Sequence, residues 1–282
     1  QGEFNKKGIK ELYSQLMSMS RKLQYQRLVE SGALGRLPFI QIDSLDKENA
    51  RVVFQGTEGA YGQAAMHQFF GDDVNCFHVR TFRDAMEAIE EGSADYAVLP
   101  IENSSAGPVN EMYDLLDEFE NYIVAETILP VVHTLSGLPG TKLSEIKRVY
   151  SKAEALMQTT RFLDDHSDWQ RISVVNTAIA AKKVLEDQDK AQAAVCSTYA
   201  AKLHGLEVLV DEINDEEDNS TRFIVVTNQK IFLKDASKIS IEFELPHESG
   251  SLYNILSHFI YNDLNMTKIE SRPVEGKQWE YR

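Results

Sequence analysis

Asn219-Ser220-Thr221-Arg222-Phe223 closes a long acidic loop and opens the apolar run Ile224-Val225-Val226. A polar triplet at the mouth of a buried strand is where an α/β fold places chemistry, because rigid backbone holds the side chains at a cleft. Thr221 supplies a hydroxyl that both donates and accepts, and Arg222 a planar fork suited to carboxylates. The plain alternative is a threonine entering a strand beside a surface arginine. Other segments share that placement. Gly56-Thr57-Glu58-Gly59-Ala60-Tyr61-Gly62 joins strand-like Arg51-Val52-Val53-Phe54-Gln55 to a helix. Such a turn presents free N–H groups and a positive dipole end to an anion. Its spacing is not GxGxxG and no lysine holds a P-loop position, which argues against a nucleotide. The strand-like Asp95-Tyr96-Ala97-Val98-Leu99-Pro100 delivers Ile101-Glu102-Asn103-Ser104-Ser105-Ala106-Gly107 before another helix. Ser151 and Gln158 lie two helical turns apart if Ser151 sits at a cap, so both could face one cleft; a simple N-cap is the other reading of Ser151.

The elements that must position these groups follow from periodicity. Residues 8–30 form an amphipathic helix, with Ile9, Leu12, Tyr13, Leu16, Met17 and Leu23 at helical spacing. Tyr13, Met17, Ser20 and Gln24 run down one face, so two polar groups sit in or beside the apolar stripe, as a helix edge or facing a pocket. Gly32, Gly35 and Pro38 end this helix, and residues 36–49 read as a linker. Thr81 caps a helix with Asp84 at the capping-box position. Residues 123–129 and 131–135 are strand-like. Strands then alternate with helices: Val149-Tyr150-Ser151 precedes a helix with Leu156 and Phe162, Ile172-Ser173-Val174-Val175 leads through Asn176-Thr177 to an Ala-rich helix, and Ala193-Ala194-Val195 leads to a helix ending at Gly205. This alternation predicts parallel sheets with βαβ crossovers, in two lobes around a cleft. The acidic residues 211–218 read as a solvated linker. A third unit begins at Ile239-Ser240-Ile241-Glu242-Phe243, with a helix after Gly250 and further strands at residues 266–271 and from Trp279.

With 282 residues, one to three domains are in range, and 43% hydrophobic residues can bury a sizeable core. The formal charge of −15 argues against nucleic acid and anionic membranes, but not against a small anionic substrate met by a local positive patch. Cys76 and Cys196 make no disulfide framework and fit a reducing, cytoplasmic compartment. No signal peptide or membrane span is read, and the seven histidines show no metal-ligand spacing.

Taken in order, these residues resemble prephenate dehydratases of the bifunctional chorismate mutase–prephenate dehydratase type. Phe54-Gln55-Gly56 with Gly59-Ala60-Tyr61, Pro100-Ile101-Glu102-Asn103-Ser104, Tyr150-Ser151, Asn176-Thr177-Ala178 and Thr221-Arg222-Phe223 match the dehydratase motifs. Gly250-Ser251-Leu252-Tyr253 and Glu270-Ser271-Arg272-Pro273 match the phenylalanine-binding motifs of the ACT regulatory domain. The resemblance implies an α/β fold: a two-lobed dehydratase domain like type 2 periplasmic binding proteins, at residues 50–229, with lobes near 50–128 plus 213–229 and 129–212. An isolated mutase-like helix and linker (1–49) would precede it and a partial α+β ACT domain (237–282) follow it, as if the chain were cut at both ends. Ser20 and Gln24 fall at substrate-contacting positions of the last mutase helix; the helices carrying the family's cations are not in the sequence, so no mutase activity is expected. The chain departs from the family at Gly62, often Ser, and at Lys152-Ala153-Glu154, usually His-Pro-Gln.

The activity so implied converts prephenate to phenylpyruvate in phenylalanine biosynthesis, without metal or cofactor. By the resemblance Thr221 hydrogen-bonds or protonates the leaving hydroxyl, with Glu102 as the alternative proton source. Asn103, Ser104, Ser151, Gln158, Asn176, Thr177 and Arg222 would bind the carboxylates and hydroxyl, and Tyr61 and Phe223 exclude water. Phenylalanine would act as allosteric effector on a homodimer or homotetramer. Two alternatives stay open: arogenate dehydratase, whose substrate differs by one ammonium group, and a non-catalytic amino-acid sensor using the same cleft.

Overall fold

The computed structural model describes residues 2–31, 39–274, 276–277 and 280–282. The chain divides into two compact units, residues 42–236 and residues 1–41 with 237–282.

In the first stretch, α1 (Gly2–Glu30) is a single helix. It begins earlier than the apolar pattern predicts, because Glu3, Lys6 and Lys7 are good helix formers and extend it without needing burial. Its apolar stripe is exposed, Leu12, Tyr13, Leu16 and Met17 among it, as are Ser20 and Gln24. Gly32, Gly35 and Pro38 lie outside the described residues. The short strand β1 (Ile40–Ile42) follows. The stretch expected to be a linker, residues 36–49, is partly core: Leu45 is buried in one cluster with Val52 and Phe54.

The larger unit holds two sheets. The first contains β2 (Arg51–Gln55), β3 (Asn75–Val79), β4 (Tyr96–Asn103), β5 (Gly107–Pro108) and β6 (Tyr122–Pro130). Helices α2 (Tyr61–Phe70), α3 (Phe82–Glu90) and α4 (Asn110–Glu118) connect them. Thr81 and Asp84 form the expected capping box on α3. The second sheet contains β7 (Thr134–Gly137), β8 (Arg148–Ser151), β9 (Gln170–Ser173), β10 (Gln192–Cys196) and β11 (Glu207–Val210), with α5 (Ala153–Met157), α6 (Thr160–Asp164), α7 (Thr177–Asp187) and α8 (Thr198–Leu203). The chain then returns to the first sheet as β12 (Ser220–Thr227), and β13 (Ile231–Leu233) follows.

Neither sheet is wholly parallel, contrary to the βαβ expectation. Their orders are β3-β2-β4-β12-β6 and β11-β7-β10-β8-β9. β12 runs antiparallel to both β4 and β6, because it re-enters the first sheet from the cleft end. β7 is antiparallel to β10 and β11. Alternate residues of β12 feed two cores: Phe223 and Val225 pack with Phe54, Met66 and Val98, while Ile224 and Val226 pack with Met86, Ile89 and Leu99. In the second lobe Ala178, Ala181, Ala194 and Ala200 bring α7, α8 and β10 close together.

In the C-terminal stretch, residues 237–282, α9 (Ser251–Tyr261) follows the predicted pattern. Residues 239–243 and 266–271 are not strands; Ile239 and Ile241 stay exposed. β-pattern is a preference for a half-buried pleated surface, and without a ladder partner it is not realised. Pro273 bridges Tyr281, and Arg272 and Arg282 exchange backbone hydrogen bonds of 2.9 and 2.8 Å. Trp279 lies outside the described residues.

Candidate active site

The two lobes are joined by two crossings, residues 131–133 and 211–219, which are tied to each other. Val131 N donates to Asn219 O (2.8 Å) and Ile213 N to His133 O (3.0 Å). The amide of Asn214 continues the ladder: its Oδ1 accepts from His133 N (2.6 Å) and its Nδ2 donates to Val131 O (2.9 Å). The acidic loop is therefore a structured hinge rather than a solvated linker. Asp215 reinforces it, accepting from the backbone N–H groups of Thr160 and Arg161 (both 2.9 Å) at the start of α6.

Where this hinge meets β4, the register sets Thr221 opposite Asn103 and Arg222 opposite Glu102. Asn103 Oδ1 accepts from Ser105 N (3.0 Å) and Ala106 N (2.8 Å). Two backbone donors on one amide atom settle which atom is oxygen. Asn103 Nδ2 then faces three acceptors: Asn219 Oδ1 (2.9 Å), Ser220 O (3.1 Å) and Thr221 Oγ1 (2.9 Å). Thr221 Oγ1 is thereby used as an acceptor, and its own proton meets no acceptor among the described residues. Ser104 is a staple of the same corner. Its N–H donates to Ser220 O (2.9 Å), its hydroxyl donates to Asp218 O (3.1 Å), and its Oγ accepts from Ser220 N (2.9 Å).

Consecutive strand residues face opposite sides, so Arg222 and Glu102 lie across the sheet from Thr221 and Asn103. Arg222 Nη1 is 3.7 Å from Glu102 Oε2, and its Nε 3.8 Å from Glu126 Oε2. The geometry thus makes Glu102 an ion-pair partner and separates the Arg222 fork from the threonine hydroxyl. Phe223 is buried in the core beneath Thr221.

Tyr61, at the start of α2, reaches the second lobe. Its hydroxyl donates to Val132 O (2.8 Å) and lies 3.2 Å from His133 Nδ1. His133 Nε2 is 3.0 Å from Gln158 Oε1. Burial pushes the His133 pKa down, partly offset by the Gln158 bond, so the ring is neutral near pH 7. Burial raises the Tyr61 phenol. On the same side, Gly59 (φ +84) packs so closely on α7 and α8 that a Cβ would sit 3.3 Å from Leu203 Cδ2 and 3.4 Å from Ala178 Cβ. The Gly-rich turn therefore seats one lobe on the other. Gly62 has its own reason to lack a side chain: a Cβ would come within 2.9 Å of Gln55 O.

Other expected site residues serve the frame. Ser151 is fully buried, and its hydroxyl donates to Val195 O (2.6 Å). It is neither a cleft donor nor the cap of α5, which is Lys152, because β10 lies beside it and takes its proton. Asn176 caps α7 through Ile179 N (2.8 Å), and its Nδ2 lies 3.4 Å from Thr57 Oγ1. Thr177 is buried as the first residue of α7. What remains open is a cleft of about 160 Å³ lined by Ser105, Met157, Gln158, Asn214, Asp215, Glu216 and Asn219. Sequence reasoning assigned no role to His133, Asn214 or Asp215. The only signal for the hinge was Ile213-Asn214, an apolar and an amide residue inside an acidic run.

The sequence matches the prephenate dehydratase family over residues 52–231. It is 32% identical over 263 residues to the bifunctional chorismate mutase/prephenate dehydratase of Escherichia coli (strain K12), covering 91% of this chain and 68% of that one. It is 38% identical over 232 residues to arogenate dehydratase/prephenate dehydratase 1, chloroplastic, of Arabidopsis thaliana, covering 81% and 58%. Among solved structures, a prephenate dehydratase from Arthrobacter aurescens in complex with L-Phe superposes with TM-score 0.69 at 29% identity, covering 82% and 78%. A protein described as a quorum-quenching acylase, GqqA, superposes with TM-score 0.70 at 30% identity, covering 82% and 84%.

Proposed function

The chain belongs to the prephenate dehydratase family, and we propose that residues 50–229 turn prephenate into phenylpyruvate with Thr221 as the group acting on the leaving hydroxyl. In that step the ring carboxylate leaves as CO2. Its bonding electron pair enters the ring, the C–OH bond breaks, and the hydroxyl departs with one proton as water. The observation that carries the assignment is the Asn103 bond to Thr221 Oγ1. An acceptor already engaged leaves the Thr221 proton to point at a substrate oxygen. A threonine is a weak acid, so it acts by orienting the hydroxyl and relaying a proton, and such assistance contributes roughly 10²–10⁴-fold. Gln158 lines the cleft from the second lobe, held by His133. The test is incubation of the purified protein with prephenate and detection of phenylpyruvate, with and without EDTA. Metal-independent turnover is the expected result; activity lost to EDTA and restored by zinc would refute the metal-free step.

One observation favours arogenate as a second substrate. Glu216 lines the cleft and is exposed, and a carboxylate there suits the ammonium group that distinguishes arogenate from prephenate. The Arabidopsis relative carries both names. Comparing kcat/KM for the two substrates decides it.

Regulation belongs to the same reading. Phenylalanine would bind through Gly250, Ser251, Leu252, Tyr253, Glu270, Ser271, Arg272 and Pro273, in a homodimer or homotetramer of a cytoplasmic enzyme. Gly250 caps α9 at φ 90, and a Cβ there would meet nothing within 4 Å. Its backbone conformation, rather than crowding, requires glycine, and the first turn of α9 is left open to a carboxylate. A phenylalanine titration of dehydratase activity tests this. Among the described residues no helix is long and apolar enough to cross a membrane.

A further inference from the structure

We propose that the Asn219 side-chain amide is a substrate-binding donor, its Nδ2 reserved for a carboxylate or hydroxyl oxygen of the molecule in the cleft. The inference rests on the dehydratase reading for the substrate, but its geometry is independent of it. Backbone donors from Ser105 and Ala106 fix the Asn103 amide, so Asn103 Nδ2 is the atom facing Asn219. A donor can only be answered by an acceptor, so Asn219 turns its Oδ1 to Asn103 and its Nδ2 away. That Nδ2 is buried with no hydrogen-bond partner, on a residue only 4% exposed that lines the cleft. The nearby carboxylates do not take it: Asp215 is engaged by Thr160 N and Arg161 N, and Glu216 by the Ser105 hydroxyl at 3.1 Å.

An unanswered buried donor is costly and rare in native structures. Here it is also held rigidly. The Asn219 carbonyl is tied to Val131 N, and the residue stands two positions before Thr221. A pre-aimed donor beside the reacting hydroxyl needs no reorganisation when substrate arrives, and offers a neutral contact for an anion in a cleft that holds two carboxylates.

The experiment is Asn219→Asp. The substitution keeps an oxygen toward Asn103 and replaces the outward donor with an acceptor. The expected result is a fall in kcat/KM for prephenate of roughly 10- to 150-fold, the equivalent of one hydrogen bond to a charged group, carried mainly by KM. A kcat/KM within twofold of the parent would overturn the proposal, as would a loss that appears only as a lower melting temperature. A parent protein that makes no phenylpyruvate would instead refute the dehydratase reading. A second measurement avoids any folding defect of that variant: in ¹⁵N spectra of the Thr221→Val protein, adding prephenate should shift the Asn219 side-chain amide resonances. Unchanged resonances under saturating prephenate would equally overturn the assignment.

Discussion

Replacing Thr221 with valine separates chemistry from architecture because of how the hydroxyl is bonded. The change is close to isosteric, and a β-branched residue suits the strand. Among the described residues, the one hydrogen bond to that hydroxyl comes from Asn103 Nδ2, at 2.9 Å. Asn103 Nδ2 carries two hydrogens and faces three acceptors, so after the substitution Asn219 Oδ1 and Ser220 O still answer both. No buried donor is orphaned, and the stability cost should stay within about 1.5 kcal/mol, the net worth of one hydrogen bond. The catalytic cost is of another order. Loss of the group that orients and relays a proton to the leaving hydroxyl should lower kcat roughly 10²–10⁴-fold, with KM changed little. Phenylpyruvate formation over a range of prephenate concentrations, run beside thermal melts, reads both quantities. A kcat within fivefold of the parent, or a raised KM with kcat intact, would refute the role given to Thr221.

Asn103→Ala should behave differently, since it removes acceptors for Ser105 N and Ala106 N as well as the donor to Thr221; a loss of about 1–3 kcal/mol in denaturant unfolding is expected together with a lower kcat. His133 has its pKa lowered by burial, so below pH about 6.5 the unfolded chain binds a proton the native state refuses. Stability therefore falls as pH drops through that value, and His133→Gln should show a smaller fall in melting temperature between pH 7.5 and 5.5; an unchanged difference would refute it. Glu216→Gln keeps an acceptor for the Ser105 hydroxyl and removes a charge, so it should lower the prephenate KM by up to about fivefold and disfavour arogenate; a raised prephenate KM would count against a dianion bound near Glu216.

Thr221 and Asn103 were legible in the sequence because a polar cluster at the end of an apolar strand is a local pattern. The capping box on α3 was legible for the same reason: Thr81 and Asp84 are neighbours. Ser151 was misplaced because its fate depends on Val195, a residue far along the chain whose carbonyl takes its proton. The exposed stripe of α1 and the unrealised strands at 239–243 and 266–271 show the converse: an apolar period states a preference for burial, and burial also needs a partner surface. The separation of Arg222 from Thr221 was available from the two-residue period alone, since neighbouring positions of a strand cannot share a face.

The hinge explains why these few residues meet at all. The chain leaves the first sheet after β6, builds the second, and returns as β12, inserted between β4 and β6. The strand that carries Thr221 is therefore the one whose first residues must lie where the lobes join. Its antiparallel register against β4 then brings Thr221 to Asn103, and the crossing just before it holds Asn219 against Val131. A parallel β12 would have put its first residues at the opposite end of β4, away from the crossings. The inserted antiparallel strand, which strand-and-helix alternation did not predict, is the feature that sets the Thr221 hydroxyl on Asn103, two residues from an unanswered Asn219 amide in the cleft lining.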